Sequence, residues 1–94
     1  MKYKIQIDKR ALQILSGLPL KIKRQIGGKI ERLANNPFPP NSKKLHSKAD
    51  IWRIRAGDYR IAYTVKQQQI LILVLYIGDR KEFYKDIRRI GFTV

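Results

Sequence analysis

The fold is decided by a predicted β-hairpin with the sequence WRIRAGDYR, residues 52–60. Its centre, Gly57-Asp58, suits a two-residue turn with glycine first, the preference of a type II′ turn. If these two residues form the turn, Arg55 faces Arg60 across the strands. Because side chains alternate between the two faces of a strand, Arg53, Arg55 and Arg60 are expected to share one face. The other face is expected to pack against helices, and it carries Trp52, Ile54, Tyr59, Ile61 and Tyr63.

Further strands are predicted on both sides of this hairpin. Residues 2–8 alternate between apolar and polar side chains, as in a strand with one buried face. The hairpin strands themselves cover residues 51–55 and 59–65. Residues 70–77 are apolar almost throughout, which favours a central position in the sheet.

Two helices are predicted between the first strand and the hairpin. Asp8 can cap the first helix, and Pro19 suits the first turn of the second. The apolar stripe of the first helix consists of Ala11, Leu12, Ile14, Leu15 and Leu18. That of the second helix consists of Ile22, Ile26, Ile30 and Leu33, and Asn35-Asn36-Pro37 ends it.

The remaining segments are a basic loop at residues 41–46, without clear periodicity, and a closing segment at residues 80–90. The closing segment is predicted to be a short helix or an irregular tail. The order of elements predicts one α+β domain over residues 1–94, with the arrangement β-α-α-β-β-β. A helical pair packs on one face of its small sheet.

The charge balance indicates an anionic partner. The chain has 21 lysines and arginines against 7 acidic residues, a formal net charge of +14. Such an excess destabilises the compact state through self-repulsion. Nucleic acid is the first candidate, because each neutralised phosphate releases counterions. An acidic protein or an anionic membrane surface also fits, although no apolar run is long enough to span a membrane.

Composition also excludes several kinds of chemistry. The chain has no cysteine, which removes disulfides, thiolate nucleophiles and cysteine-bound zinc, and which fits a cytosolic setting. His46 is the single histidine, so a mechanism with two histidines is excluded. The acidic residues are scattered without metal-binding spacing, and no cofactor is implied.

A second group of chemically interesting residues follows the apolar strand, at residues 78–84. Arg80 can bind phosphate, and Tyr84 can stack on a base or exchange a proton. The simpler interpretation is that Tyr84 covers the edge of the core and that the arginine face is only solvated. Like charges directly opposite on a sheet are destabilising, however, and a local rule broken in this way often marks a functional site.

These stretches, in this order, resemble the RelE/ParE toxin superfamily along nearly the whole chain. The matching pieces are WRIR at 52–55, GDYRIAY at 57–63 and IGDRKEFY at 77–84, and residues 43–45 look like the basic loop of the family. RelE-type members are ribosome-dependent, metal-independent endoribonucleases. ParE-type members poison DNA gyrase and lack the ribonuclease residues.

The resemblance implies a site in which a ribose 2′-OH attacks the adjacent phosphate. The catalytic positions of RelE-type toxins are matched here by Arg53, Arg55, Arg60, Arg80 and Tyr84. RNA-binding positions are expected at Lys43, Lys44, Lys48 and Lys81. The first two catalytic positions are often lysine in the family. Because arginine keeps its proton, a lysine-like role as general base does not transfer to Arg55.

The resemblance therefore predicts the toxin of a type II toxin–antitoxin system that cleaves mRNA on the ribosome, in the cytoplasm. The expected partners are the ribosome, mRNA and a small acidic, RelB-like antitoxin, with no membrane. Two alternatives are a ParE-type gyrase inhibitor and an inactive relative that only binds nucleic acid.

Overall fold

A five-stranded mixed sheet forms the centre of the protein in the computed structural model, which describes residues 2–46 and 50–90. The strand order is β1-β5-β4-β3-β2. The strands are β1 (Lys4–Ile7), β2 (Lys43–His46), β3 (Ile51–Ala56), β4 (Tyr59–Lys66) and β5 (Leu71–Asp79). β1 is parallel to β5, and the other neighbours are antiparallel. The helices are α1 (Lys9–Ser16), α2 (Leu20–Leu33) and α3 (Phe83–Ile90).

The main core lies between one face of the sheet and the pair α1 and α2, as predicted. Asp8 caps α1, because its carboxylate accepts a hydrogen bond from the backbone N–H of Arg10 at 3.1 Å. The buried residues of this core include Ala11, Ile26, Ile30 and Leu33 from the helices and Ile54, Ile61, Tyr63, Ile72 and Val74 from the strands. Leu12 is 50% exposed, so its place in the predicted buried stripe is wrong. α1 has only eight residues, and Ala11 is the one among them that is buried.

The opposite face of the sheet is covered in part by α3, which settles the choice between a closing helix and an irregular tail. Its Phe83 and Ile87 are fully buried in a second apolar cluster. The strands contribute Ile51, Ala62 and Tyr76 to that cluster. This face is the one that the alternation assigns to the arginines of the hairpin.

The predicted basic loop is wrong over residues 43–46, which form the edge strand β2. Lys43 lies opposite Arg53 and Lys44 opposite Trp52, with an irregularity in register before His46. The strand is only four residues long, and its sequence, KKLH, shows no clear alternation. Its backbone pairing with β3 makes it a strand. The interior position of the apolar strand is confirmed, since β5 lies between β1 and β4.

Candidate active site

The β3–β4 hairpin has the predicted geometry. Arg55 lies directly opposite Arg60, and Ala56 lies opposite Tyr59. Gly57 has a φ of +62°, in the left-handed region that favours glycine. Asp58, the second residue of the turn, does not have a positive φ, which agrees with a type II′ turn. The turn therefore sets the register that brings two arginines together.

Arg60 occupies the most unusual position among the predicted site residues. It lies on the central strand β4, with Arg55 of β3 on one side and Gly78 of β5 on the other. Its Nε and Nη1 atoms are buried and have no hydrogen-bond partner among the described residues. A buried polar group without a partner loses its solvation and gains nothing in return, and the cost is larger when the group is charged. Arg60 is thus a candidate anion-binding residue.

Arg53 and Arg55 line an open cleft of about 490 Å³ at the outer edge of β3. Lys43 of β2 lies in the same cleft, so the structure brings these three predicted residues together. The guanidinium Nε of Arg55 donates a hydrogen bond to the backbone carbonyl of Gly57 at 3.2 Å, which holds this side chain beside the turn.

Arg80 and Lys81 line a different open depression, of about 500 Å³, beside the hairpin turn. The backbone N–H of Arg80 donates to the carbonyl of Asp58 at 2.7 Å, which fixes the end of β5 against the turn. The carboxylate of Asp79 accepts from the backbone N–H groups of Lys81 (3.0 Å) and Glu82 (2.8 Å). This side chain orders the segment that leads into α3, so Asp79 has a structural role at the site.

Tyr84 is exposed at the start of α3, with 39% of its surface accessible. Its ring meets Phe83 edge-on, with a distance of 5.1 Å between ring centroids. Because Phe83 is fully buried, this contact anchors one side of Tyr84 and leaves the rest open to solvent. An exposed, anchored ring of this kind is available for stacking on a base.

The other predicted RNA-binding residues are dispersed. Lys44 forms an exposed salt bridge with Asp50 at 3.8 Å and does not line the cleft that contains Lys43. Lys48 lies outside the described residues. The predicted set thus divides into an edge cleft, the partly buried Arg60 and the depression at Arg80.

Sequence reasoning missed three contributors to this region. Gln25 and Lys29 of α2 line the edge cleft together with residues of β2 and β3, and no local sequence pattern predicts that these elements meet. Gly78 lies opposite Arg60, and a Cβ there would lie 3.0 Å from the Tyr76 ring and 3.3 Å from the backbone of Phe83. The sequence signal for Gly78 was its position in the 77–84 stretch, which resembles the family.

Tyr76 and Asp86 form the polar contact that holds α3 to the sheet. The Tyr76 hydroxyl donates to Oδ2 of Asp86 at 2.5 Å, and Arg89 forms a salt bridge with the same carboxylate. Burial, together with this hydrogen bond, raises the pKa of Tyr76 to about 12. The hydrogen bond from Tyr76 lowers the pKa of Asp86, and Arg89 acts in the same direction.

Known proteins resemble this chain in fold and in sequence. The family described as the ParE toxin of the type II toxin–antitoxin system parDE matches residues 5–84. A putative toxin RelE1 of Methanocaldococcus jannaschii is 32% identical, over 92% of this chain and 99% of its own length. The mRNA interferase toxin RelE of Escherichia coli K12 is 27% identical, over 96% of this chain and 99% of its own.

A solved structure, the archaeal RelE–RelB complex of Pyrococcus horikoshii, superposes with a TM-score of 0.76 and 29% identity. The match covers 85% of this chain and 97% of the other. Fold and sequence together define the class of small toxins found in toxin–antitoxin systems. The chain belongs to the RelE/ParE toxin superfamily.

Two further properties concern metal ions and membranes. Within residues 2–46 and 50–90, no group of three or more histidine and acidic side chains is placed to hold a metal ion. In the same part of the chain, no helix is long and apolar enough to cross a membrane.

Proposed function

We propose that this toxin is a ribosome-dependent endoribonuclease that cleaves mRNA in the decoding site without a metal. The 2′-OH of one ribose attacks the adjacent phosphorus, the bond to the 5′-oxygen of the next nucleotide breaks, and a 2′,3′-cyclic phosphate and a free 5′-OH result. The observation that carries the proposal is Arg60, whose Nε and Nη1 atoms are buried without a hydrogen-bond partner among the described residues. The phosphorane formed during attack is a dianion, which supplies the acceptors that these N–H groups lack.

The other side chains divide the remaining tasks. Arg80 follows β5 and is exposed, so it can bind the phosphate or stabilise the leaving 5′-oxygen. Arg53 and Arg55 hold the RNA from the edge cleft. Tyr84 stacks on a base or transfers a proton, because its ring is anchored by Phe83 and its hydroxyl group is not hydrogen-bonded to another described residue. Arginine essentially never gives up its proton, which leaves Tyr84 as the better proton acceptor in this set.

Primer extension on mRNA bound to 70S ribosomes tests the roles of individual arginines. Arg60→Ala and Arg80→Ala should each abolish cleavage while the circular dichroism spectrum stays that of the parent protein. Arg24→Ala is the matched control, because Arg24 is an exposed arginine on α2 that lines neither the cleft nor the depression. Full activity in both site variants would reject the proposed site.

An acidic antitoxin of the RelB type is the proposed partner. The support is the formal charge of +14 and the likeness to the Pyrococcus horikoshii toxin, whose structure is that of a RelE–RelB complex. Acidic segments of this kind commonly fold on binding. Stoichiometric antitoxin should therefore suppress cleavage in the ribosome assay, and a toxin still active in the complex would contradict this part.

Gyrase inhibition is the second candidate, and the description of the matching family as a ParE toxin favours it. A ParE-type toxin would block DNA supercoiling by purified gyrase and leave ribosome-bound mRNA intact. The presence of an arginine or tyrosine at every matched ribonuclease position supports the first candidate. The supercoiling assay on the same preparation distinguishes the two.

A further inference from the structure

The edge cleft lies where β3 is left unpaired on its outer side. β2 pairs with residues 51–53 only, so residues 54–56 extend beyond its end. α2 closes the other wall of the cleft with Gln25 and Lys29. The cleft is therefore a channel between a helix and a strand, and its helical wall lies outside the matching pieces at 52–55, 57–63 and 77–84.

Four cations line this channel, namely Lys29, Lys43, Arg53 and Arg55. Within the described part of the chain, the salt bridges join Lys44 to Asp50 and Arg89 to Asp86, so none of the four cations is paired with a carboxylate. Two neutral amides, from Gln25 and Asn41, lie among them. Close like charges repel one another, and a bound anion removes that repulsion.

We propose that this cleft binds the sugar–phosphate backbone of single-stranded RNA beside the cleaved bond, with Lys29 of α2 as a phosphate-binding residue. The proposal rests on the proposed function and extends it to a helix that carries no predicted site residue. The lining favours RNA over an acidic peptide, because every lining side chain is polar or charged apart from Gly57. A peptide that folds on binding anchors itself with apolar side chains in apolar pockets, and no apolar side chain lines this cleft.

The position of Lys29 is fixed by the contact between α2 and the hairpin. A Cβ at Gly57 would lie 2.9 Å from Nε2 of Gln25, so the turn and the helix meet closely one helical turn before Lys29. α2 is further anchored by Ile26 and Ile30, both buried in the main core. The chemistry takes place at Arg60 on the neighbouring strand β4, so Lys29 should contribute to binding rather than to the chemical step.

Salt-dependent binding of a short, fluorescent, 2′-O-methyl single-stranded RNA to the isolated full-length protein tests the proposal. This RNA cannot be cleaved, so binding is measured without turnover. The slope of log K against log salt is negative, and Lys29→Gln should make it shallower by about 0.7, the value for one phosphate contact with a single strand. Lys66→Gln is the matched control, because Lys66 is exposed at the far end of β4 and should leave the slope unchanged. Lys29→Arg should restore it.

The ribosome assay supplies the second readout. Lys29→Gln should raise KM for ribosome-bound mRNA several-fold and leave kcat unchanged, since it acts away from the reacting atoms. If the slope of Lys29→Gln equals that of Lys66→Gln, the proposal is wrong. It is also wrong if Lys29→Gln binds a poly-glutamate probe more weakly than the parent but binds RNA equally well, because the cleft would then be a protein-binding site. Slope changes as expected without any cleavage by the parent protein would uphold the cleft and reject the proposed ribonuclease.

Discussion

The proposed role of Arg60 in cleavage and its effect on stability can be tested with one substitution. Replacing Arg60 with methionine removes two buried guanidinium nitrogens that have no hydrogen-bond partner among the described residues, and it keeps much of the packing volume. Apolar replacement of buried charges is often neutral or stabilising, by about 1–4 kcal/mol. We therefore expect Arg60→Met to raise the free energy of unfolding in urea by about 1 kcal/mol or more while abolishing mRNA cleavage.

The control for this exchange is Arg24→Met, at an exposed position on α2. Surface substitutions of this kind usually change stability by less than about 0.5 kcal/mol. A marked loss of stability in Arg60→Met, with Arg24→Met unchanged, would show that Arg60 has a structural partner and would remove the main support for an anion site.

Gly78→Ala tests a position where the backbone needs the absence of a side chain. The added Cβ would lie 3.3 Å from the Cα of Phe83 and 3.0 Å from the Tyr76 ring, where α3 begins to pack on the sheet. We expect overpacking to cost about 1–3 kcal/mol in urea unfolding and to reduce cleavage, because Gly78 is also opposite Arg60. Parental stability in this variant would contradict the close approach.

At the residue scale, the sequence predicted which side chains share a face but not their surroundings. The Gly57-Asp58 turn fixed the register, so Arg55 opposite Arg60 followed from alternation alone. The surroundings of Arg60 depend on the neighbouring strands β3 and β5, and the cleft at Arg53 and Arg55 depends on α2. Contacts between distant segments leave no periodic signal in the sequence.

At the scale of the element, α2 contains two glycines without a steric need for them. A Cβ at Gly27 or Gly28 would meet nothing within 4 Å outside the neighbouring backbone. Because glycine in a helix interior costs about 1 kcal/mol relative to alanine, Gly27→Ala and Gly28→Ala should each raise stability by about that amount.

Urea unfolding of the two single variants and the double variant checks this prediction. The two effects should add to roughly 2 kcal/mol if both sites face open space. Destabilisation by either alanine would mean that α2 packs more closely there than the structure shows. Loss of cleavage with a gain in stability would instead place a binding surface on this part of the helix.

The elements that the sequence predicted poorly are those that depend on others. β2 has four residues and an irregular register, so it is a strand only because β3 offers it backbone partners. α3 could be predicted as a helix or a tail, and the choice is decided by the burial of Phe83 and Ile87 on the far face of the sheet. The hairpin and the α1–α2 pair carried their own turn, capping and periodicity signals.

At the scale of the whole molecule, two buried tyrosines make stability depend on alkaline pH. Burial raises the pKa of Tyr63 to about 12, and burial with the Asp86 hydrogen bond does the same for Tyr76. Below pH 10, the ordinary tyrosine pKa, both are protonated whether the chain is folded or not, and their contribution is fully present. As pH rises from 10 towards 12, the unfolded chain loses these protons first, so stability falls.

Urea unfolding at several pH values between 9 and 12 measures this fall, and Tyr63→Phe isolates one contribution. The hydroxyl of Tyr63 donates to the carbonyl of Pro37 at 2.8 Å, so the variant should be less stable than the parent by about 1 kcal/mol below pH 10. Its stability should decline less steeply above pH 10 than that of the parent, by up to about 1.4 kcal/mol per pH unit. Parallel curves would contradict the raised pKa.

The central claim is that the arginine face, with Arg60 at its centre, cleaves mRNA on the ribosome. Its most direct test is primer extension on a defined mRNA bound to 70S ribosomes, with the parent protein, Arg60→Met and Arg24→Met compared at equal concentration. The account predicts cuts at the decoding-site codon that require ribosomes, persist in Arg24→Met and vanish in Arg60→Met. Intact mRNA with folded parent protein, or undiminished cuts in Arg60→Met, would contradict it.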